Sequence, residues 1–216
     1  MKTRKLIFLT ACCFIFSMYV KAQEDVLKPD LSDISNSEKW TVNNRDADYD
    51  DHIYLNANRG DGLLYMKGVE FTNGKIELDI KGTDVQGRSF VGVAFHGLND
   101  STFDAVYFRP FNFMNDQRNT HSVQYISMPS YNWYNLRNDH PGKYENKVNP
   151  IPDPNEWFHA TIVIHYPEVK VFVNDSKEPT LVVNQISDRK KGWIGFWVGN
   201  GSDGNFKNLI ITPESE

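Results

Sequence analysis

Two observations make this chain an all-β protein, a two-sheet antiparallel jelly-roll sandwich. Short runs rich in β-branched and aromatic residues recur from residue 40 to 211, with apolar positions alternating at period two and turn residues between the runs. No stretch holds a 3.6-residue apolar period for the about ten positions that make a helix legible, and no internal repeat divides the chain. Many short strands without helices or repeats close as two sheets packed face to face.

Residues 1–22 stand apart from that fold. Lys2, Arg4 and Lys5 precede an apolar run over 6–20, and Val20-Lys21-Ala22 offers a cleavage site, the pattern of a secretory signal. A rival reading takes Leu9-Thr10-Ala11-Cys12 as a lipid-attachment box, with Cys12 as the first mature residue. The run is shorter than the about 20 residues of a membrane-spanning helix. Removing 1–22 deletes four basic groups and no acid, so the net charge moves from −5 to −9. Nucleic acid and anionic membranes are poor partners for such a chain. Both cysteines lie in the removed segment, so 23–216 must fold as a single domain on an ordinary core, without a disulfide.

The elements follow in order. Residues 23–39 are polar with Pro29 inside and read as a wrapping arm, and Trp40-Thr41-Val42 as the first paired strand. The run Asp46-Ala-Asp48-Tyr-Asp50-Asp51 resembles the opening of a calcium loop. An EF-hand is excluded, because Asp51 stands where its glycine belongs and Ala57 where its bidentate glutamate belongs. A looser structural calcium site or a solvated turn remains.

Strands are then expected at 52–56, 62–66, 75–81, 90–96, 105–111, 123–127, 157–166, 170–173, 181–183, 193–198 and 206–211. Gly60-Asp-Gly62, Asn73-Gly74, Asn174-Asp175 and Gly201-Ser-Asp-Gly204 punctuate them. Pro110 removes a ladder donor, so the strand holding Tyr107 ends or bulges there and leaves Arg109 and Asn112 near a rim. The stretch 128–156 carries Trp133, Tyr134 and Arg137 and is long for a connection, which suits a functional loop.

Alternation sorts each strand into faces. Phe158, Ala160, Ile162 and Ile164 share the core side of 157–166, leaving Trp157 and His159 on the other. Ile194, Phe196 and Val198 oppose Trp193 and Trp197, and Val91, Val93 and Phe95 oppose Phe90 and His96. A sandwich buries one face per sheet, so the second faces look outward. Sugars present flat C–H faces to rings and hydroxyls to planar donors and acceptors. The predicted ligand-binding set is therefore Tyr107, Arg109, Asn112, Gln124, Trp133, Arg137, Trp157, His159 and Trp197, converging on one open trough with 128–156 as a wall.

The segments Phe71-Thr-Asn-Gly-Lys-Ile-Glu-Leu-Asp79, Phe90-Val-Gly-Val-Ala-Phe95, Glu156-Trp-Phe-His-Ala-Thr-Ile-Val-Ile164, Val171-Phe-Val-Asn174, Gly192-Trp-Ile-Gly-Phe-Trp-Val-Gly199 and Phe206-Lys-Asn-Leu-Ile-Ile211 carry a family resemblance. The chain from Gly62 onward resembles the concanavalin A-like lectin/glucanase superfamily. Within it, the chain is similar to the bacterial branch of laminin-G-like modules and secreted domains named after 3-keto-disaccharide hydrolases. These are scaffold marks, and they imply the fold and an association with glycans rather than a mechanism.

Glu77-Leu-Asp79 looks like the start of the catalytic strand of jelly-roll β-glucanases, its carboxyls about 6.5–7 Å apart along a strand. The family's second glutamate falls at Lys81 or Gly82, and a retaining mechanism needs both carboxyls. A lyase or hydrolase built from His96, His121, Tyr107, Tyr125 and Gln124, with Arg109 or an asparagine neutralising a uronate, is the other enzymatic route. Metalloprotease, serine-hydrolase and nucleotide-binding motifs are absent from the sequence. Three expectations result: a secreted glycan binder, a glycoside hydrolase or polysaccharide lyase on the same fold, and a surface protein-interaction module.

Overall fold

The computed structural model describes residues 26–214. The signal segment and Cys12 therefore lie outside the described residues. Two seven-stranded antiparallel sheets pack as a jelly-roll sandwich, the predicted fold. The first sheet runs in the order β1 (Trp40–Asn43), β4 (Gly62–Met66), β13 (Trp193–Val198), β6 (Val91–Asn99), β7 (Thr102–Phe108), β8 (Val123–Ser127) and β9 (Glu145–Asn146). The second runs β12 (Leu181–Asn184), β11 (Glu168–Val173), β10 (Phe158–His165), β5 (Gly74–Lys81), β14 (Gly204–Pro213), β3 (Ile53–Leu55) and β2 (Ala47–Tyr49).

The core is the pair of inner faces that period-two alternation predicts. Phe158, Ala160, Ile162 and Ile164 are buried on β10 and meet Ile80, Leu78 and Ile76 of β5 in register. Phe196 reaches across to Phe206 at 4.9 Å, and Phe108 to Phe158 at 5.0 Å, tying the two sheets together. Removing such rings from water contributes about 1.5–3 kcal/mol each, so these contacts set how the sheets stack. The arm docks as well: Leu27 and Ile211 exchange backbone hydrogen bonds of 2.8 and 2.9 Å along β14.

Three local features differ from the expectation. The long connection after β8 contains a helix, α1 (Trp133–Asp139), capped by Asn132, whose side chain accepts from the amides of Tyr134 and Asn135. Seven residues are too few to show a helical period. The acidic run forms β2 and the bend after it, with Asn56 Nδ2 donating to Asp46 Oδ2 at 2.7 Å. His96 does not face outward. A bulge shifts the register of β6 beyond Phe95, and His96, at φ 50°, turns into the interior between the rings of Phe71 and Phe95.

Candidate functional site

One transverse row organises the outer face of the first sheet. In register across it stand Leu63, Trp197, Gly92, Tyr107, Gln124 and Glu145, from β4, β13, β6, β7, β8 and β9. Gly92 lies between the two ring-bearing residues. A Cβ there would come within 2.1 Å of the Val106 carbonyl oxygen and 2.6 Å of the Tyr107 Cα. The bare backbone lets Tyr107 and Trp197 lean together, centroids 4.8 Å apart. Both rings are buried and together form a floor.

The other end of the row is polar and charged. Tyr107 donates its hydroxyl to Gln124 Oε1 at 2.9 Å, and Arg109 Nη2 contacts both groups. Arg109 is placed at the exit of β7, where the turn Pro110–Asn112 redirects the chain, and its Nη1 donates to the His121 carbonyl at 2.8 Å. Its guanidinium lies 4.8 Å from the Tyr107 ring and 5.8 Å from that of Phe90. Arg137 of α1 grips Glu145 with two bonds of 2.9 and 2.6 Å, while His121 Nδ1 stands 2.9 Å and Arg109 3.8 Å from the same carboxylate.

Burial raises the Tyr107 hydroxyl to about 12, against the opposing pull of Arg109, so it stays a donor. Burial also works to raise Glu145, but the hydrogen bonds and charge of Arg137, with His121 and Arg109, outweigh it and hold the carboxyl below its usual range.

Above this floor runs a groove with two adjoining recesses. The larger, about 400 Å³, is bounded by Trp197, Tyr107, Met128, Tyr134 and Asp61. The smaller, about 190 Å³, is bounded by Arg109, Asn112, Arg118, His121 and Arg137. Phe90 and Trp133 line both, so the recesses meet between two rings. α1 is the outer wall, carrying Trp133 at 47% exposure and resting on buried Leu136.

At the far end of the groove, Arg45 donates to the carbonyls of Gly60 and Gly199 at 2.8 and 2.9 Å, and so fixes the turn that presents Asp61. Burial pushes the Asp61 carboxyl above the usual range, partly offset by Arg45 and by the facing Trp197 indole. The Trp197 Nε1 itself is buried without a bond of full hydrogen-bonding geometry.

Seven of the nine predicted ligand-binding residues, Tyr107, Arg109, Asn112, Gln124, Trp133, Arg137 and Trp197, gather on this side of the sandwich. Gln124 is packed under the Trp133 carbonyl. Trp157 and His159 do not join them, which corrects the expectation of a single trough. They lie on the outer side of the second sheet, where Lys207 Nζ sits 4.2 Å over the Trp157 ring and His159 Nδ1 is 2.8 Å from Asp79. Alternation assigns a residue to a side of its strand but not the strand to a sheet.

The enzymatic candidates scatter. Glu77 pairs with Lys75 at 2.8 Å, and Asp79 pairs with His159 and accepts from Asn208 at 2.6 Å, all on the second sheet. Tyr125 points into the sandwich and donates to Asp104 at 2.9 Å, and His96 is buried nearby. Only His121 borders the groove. Asp61 and Arg118 line the groove with no signal in the sequence, while Phe90, on an outward face, and Tyr134, in the 128–156 wall, stand outside the predicted ligand-binding set. A lone acid between Gly60 and Gly62 reads as a turn, and nothing in the pattern announces the buried Arg45 beneath it. Among the described residues no three histidine, cysteine, aspartate or glutamate side chains converge to hold a metal ion, and no helix is long and apolar enough to cross a membrane.

The two packed antiparallel sheets define a jelly-roll sandwich with one ring-floored outer face. Residues 30–212 match the model of the 3-keto-alpha-glucoside-1,2-lyase-like domain, and the chain belongs to that family. A comparison with curated proteins finds no significant match. Among solved structures, the chain is similar to the carbohydrate binding module CBM66 from Bacillus subtilis, with 16% identity, a TM-score of 0.60, and coverage of 81% of this chain and 96% of that one. A galectin-like protein of unknown function from Bacillus subtilis shares 12% identity at a TM-score of 0.58, covering 85% and 91%. The exoplasmic/lumenal domain of VIP36 with Ca2+ and Man3GlcNAc bound shares 13% at 0.55, covering 83% and 88%.

Proposed function

We propose that this is a secreted glycan-recognising protein whose ligand lies in the groove over the first sheet. The observation that carries the reading is the convergence of Phe90 and the half-exposed Trp133 on both recesses of a cleft floored by Tyr107 and Trp197. Two rings flanking a cleft suit the flat C–H faces of a pyranose. Hydrogen-bonding groups stand at both ends, Asp61 at one and Asn112, His121 and Arg137 at the other, where they would meet hydroxyls.

The family description and the printed names of CBM66 and of VIP36 with its bound Man3GlcNAc agree with a carbohydrate partner. The basic start and apolar run of 1–22 support export. The test is retention of the protein on a panel of immobilised polysaccharides. The wild type is expected to be retarded by at least one of them, and Trp133→Ala to lose that retardation. An equal profile for both proteins overturns the placement.

A second reading, cleavage of the bound glycan, draws on Asp61. A carboxyl in a groove whose proton is held above the usual pH range is suited to act as an acid toward a leaving oxygen. The family's description as lyase-like points the same way. Release of shorter chains or new reducing ends by wild type, and not by Asp61→Asn, separates an enzyme from a binder.

A further inference from the structure

We propose that the smaller recess seats an anionic substituent of the saccharide, a carboxylate or a sulfate ester, so that the ligand is an acidic glycan. The inference rests on the groove being the glycan site.

The charge count around this recess is lopsided. Arg109, Arg118 and Arg137 line it together with His121, and no carboxylate does. Glu145 lies just behind, with its side chain 3% exposed. It is already shared by Arg137, His121 and Arg109 at 2.6, 2.9 and 3.8 Å. One carboxylate cannot balance three guanidinium groups, and this local positive excess stands out on a chain of net charge −5. Arg118 is exposed and makes no ion pair among the described residues. Burial disfavours the protonated form of Arg109, with Tyr107 and Glu145 opposing that shift and the like charge of Arg137 adding to it, a cost that a second anion would relieve.

Asn112 supplies an independent observation. It is 3% exposed, and its Nδ2 donates to the His121 carbonyl at 3.1 Å, which orients the amide. Its Oδ1 is buried with no donor. A buried acceptor left unpaired is costly, and a sugar hydroxyl donates to such an oxygen whereas a bare anion does not. The rings of Phe90 and Trp133 hold the adjoining wall, so the anion arrives as part of a saccharide. The recess, about 190 Å³, is smaller than the about 300–1,000 Å³ of a whole-ligand site. It takes one substituted sugar while the chain continues into the larger recess.

The test is calorimetric titration of the mature protein with oligouronates, sulfated galactan oligosaccharides and neutral maltotriose, each in about 0.1 M and about 1 M NaCl, where screening lengths are about 10 and 3 Å. The expected result is binding of one acidic class at least about tenfold tighter than maltotriose, weakening with salt. In Arg118→Gln the acidic ligand should lose about threefold or more in affinity, and its binding should depend less steeply on salt than in wild type. Whether uronates or sulfated chains respond names the substituent. Equal affinity for acidic and neutral ligands, or an Arg118→Gln protein that binds the acidic one as well as wild type, overturns the proposal. Neutral binding that depends on Trp133, with acidic ligands excluded, overturns it while leaving the glycan groove standing. No response to any saccharide overturns both.

Discussion

The rings of Tyr107 and Trp197 meet 4.8 Å apart above Gly92, the residue that pairs with both across neighbouring strands. The contact depends on the missing side chain between them. Gly92→Ala places a Cβ 2.1 Å from the Val106 carbonyl oxygen. The strands must part, and overpacking of this kind costs about 1–3 kcal/mol. Urea unfolding should show that loss, together with weaker glycan binding; full stability would show that the close approach is dispensable.

Trp133 and Trp197 should separate binding from stability. Trp133 is 47% exposed on the wall, whereas Trp197 is 4% exposed in the floor. Trp133→Ala should leave the melting temperature nearly unchanged and reduce glycan affinity about tenfold, from the loss of ring stacking. Trp197→Ala should destabilise the fold by about 3–5 kcal/mol. Thermal melts beside titrations check both, and the reverse pattern would mean that floor and wall have been exchanged.

Glu145 compensates charge inside the site. Glu145→Gln leaves Arg109 and Arg137 facing each other without their carboxylate, and breaking such a buried pair costs about 3–5 kcal/mol. Denaturant midpoints measure it. A neutral outcome would mean that solvent already screens the pair.

Beneath β8 lies a buried polar network with a pH consequence. Asp104 accepts from Tyr125 at 2.9 Å, Ser187 at 2.7 Å, Gln185 at 3.1 Å and Arg189 at 2.8 Å, and Gln185 also meets His96 Nδ1 at 3.1 Å. Burial lowers the pKa of His96 from 6.5, with Asp104 opposing and Arg189 assisting that shift. The folded protein therefore binds fewer protons at this site than the unfolded chain. Its contribution to stability is complete above about pH 6.5 and is lost as pH falls toward the depressed value, by up to about 1.4 kcal/mol per pH unit. Unfolding free energies between pH 7.5 and 5.5 should fall for wild type and flatten in His96→Gln. Equal slopes would contradict the assignment.

Much of this architecture could be read from residue order, and the failures have physical causes. Alternation on β10 places Phe158, Ala160, Ile162 and Ile164 inside, and β7 stops at Phe108, just before Arg109 and Pro110. Alternation does not say that β10 belongs to the second sheet, so the outward positions of Trp157 and His159 read as part of a trough that lies on the other sheet. A bulge breaks the period at His96, which therefore reads as outward in sequence and is buried in the fold. Asp61 depends on an arginine sixteen positions earlier reaching under its turn, a tertiary contact with no local signature.

A crystal structure with the tightest-binding oligosaccharide shows which sheet the sugar rests on. A sugar ring between Phe90 and Trp133, lying over Tyr107 and Trp197, is the predicted result. A sugar seated instead on the opposite sheet, against Trp157 and Lys207, would contradict it.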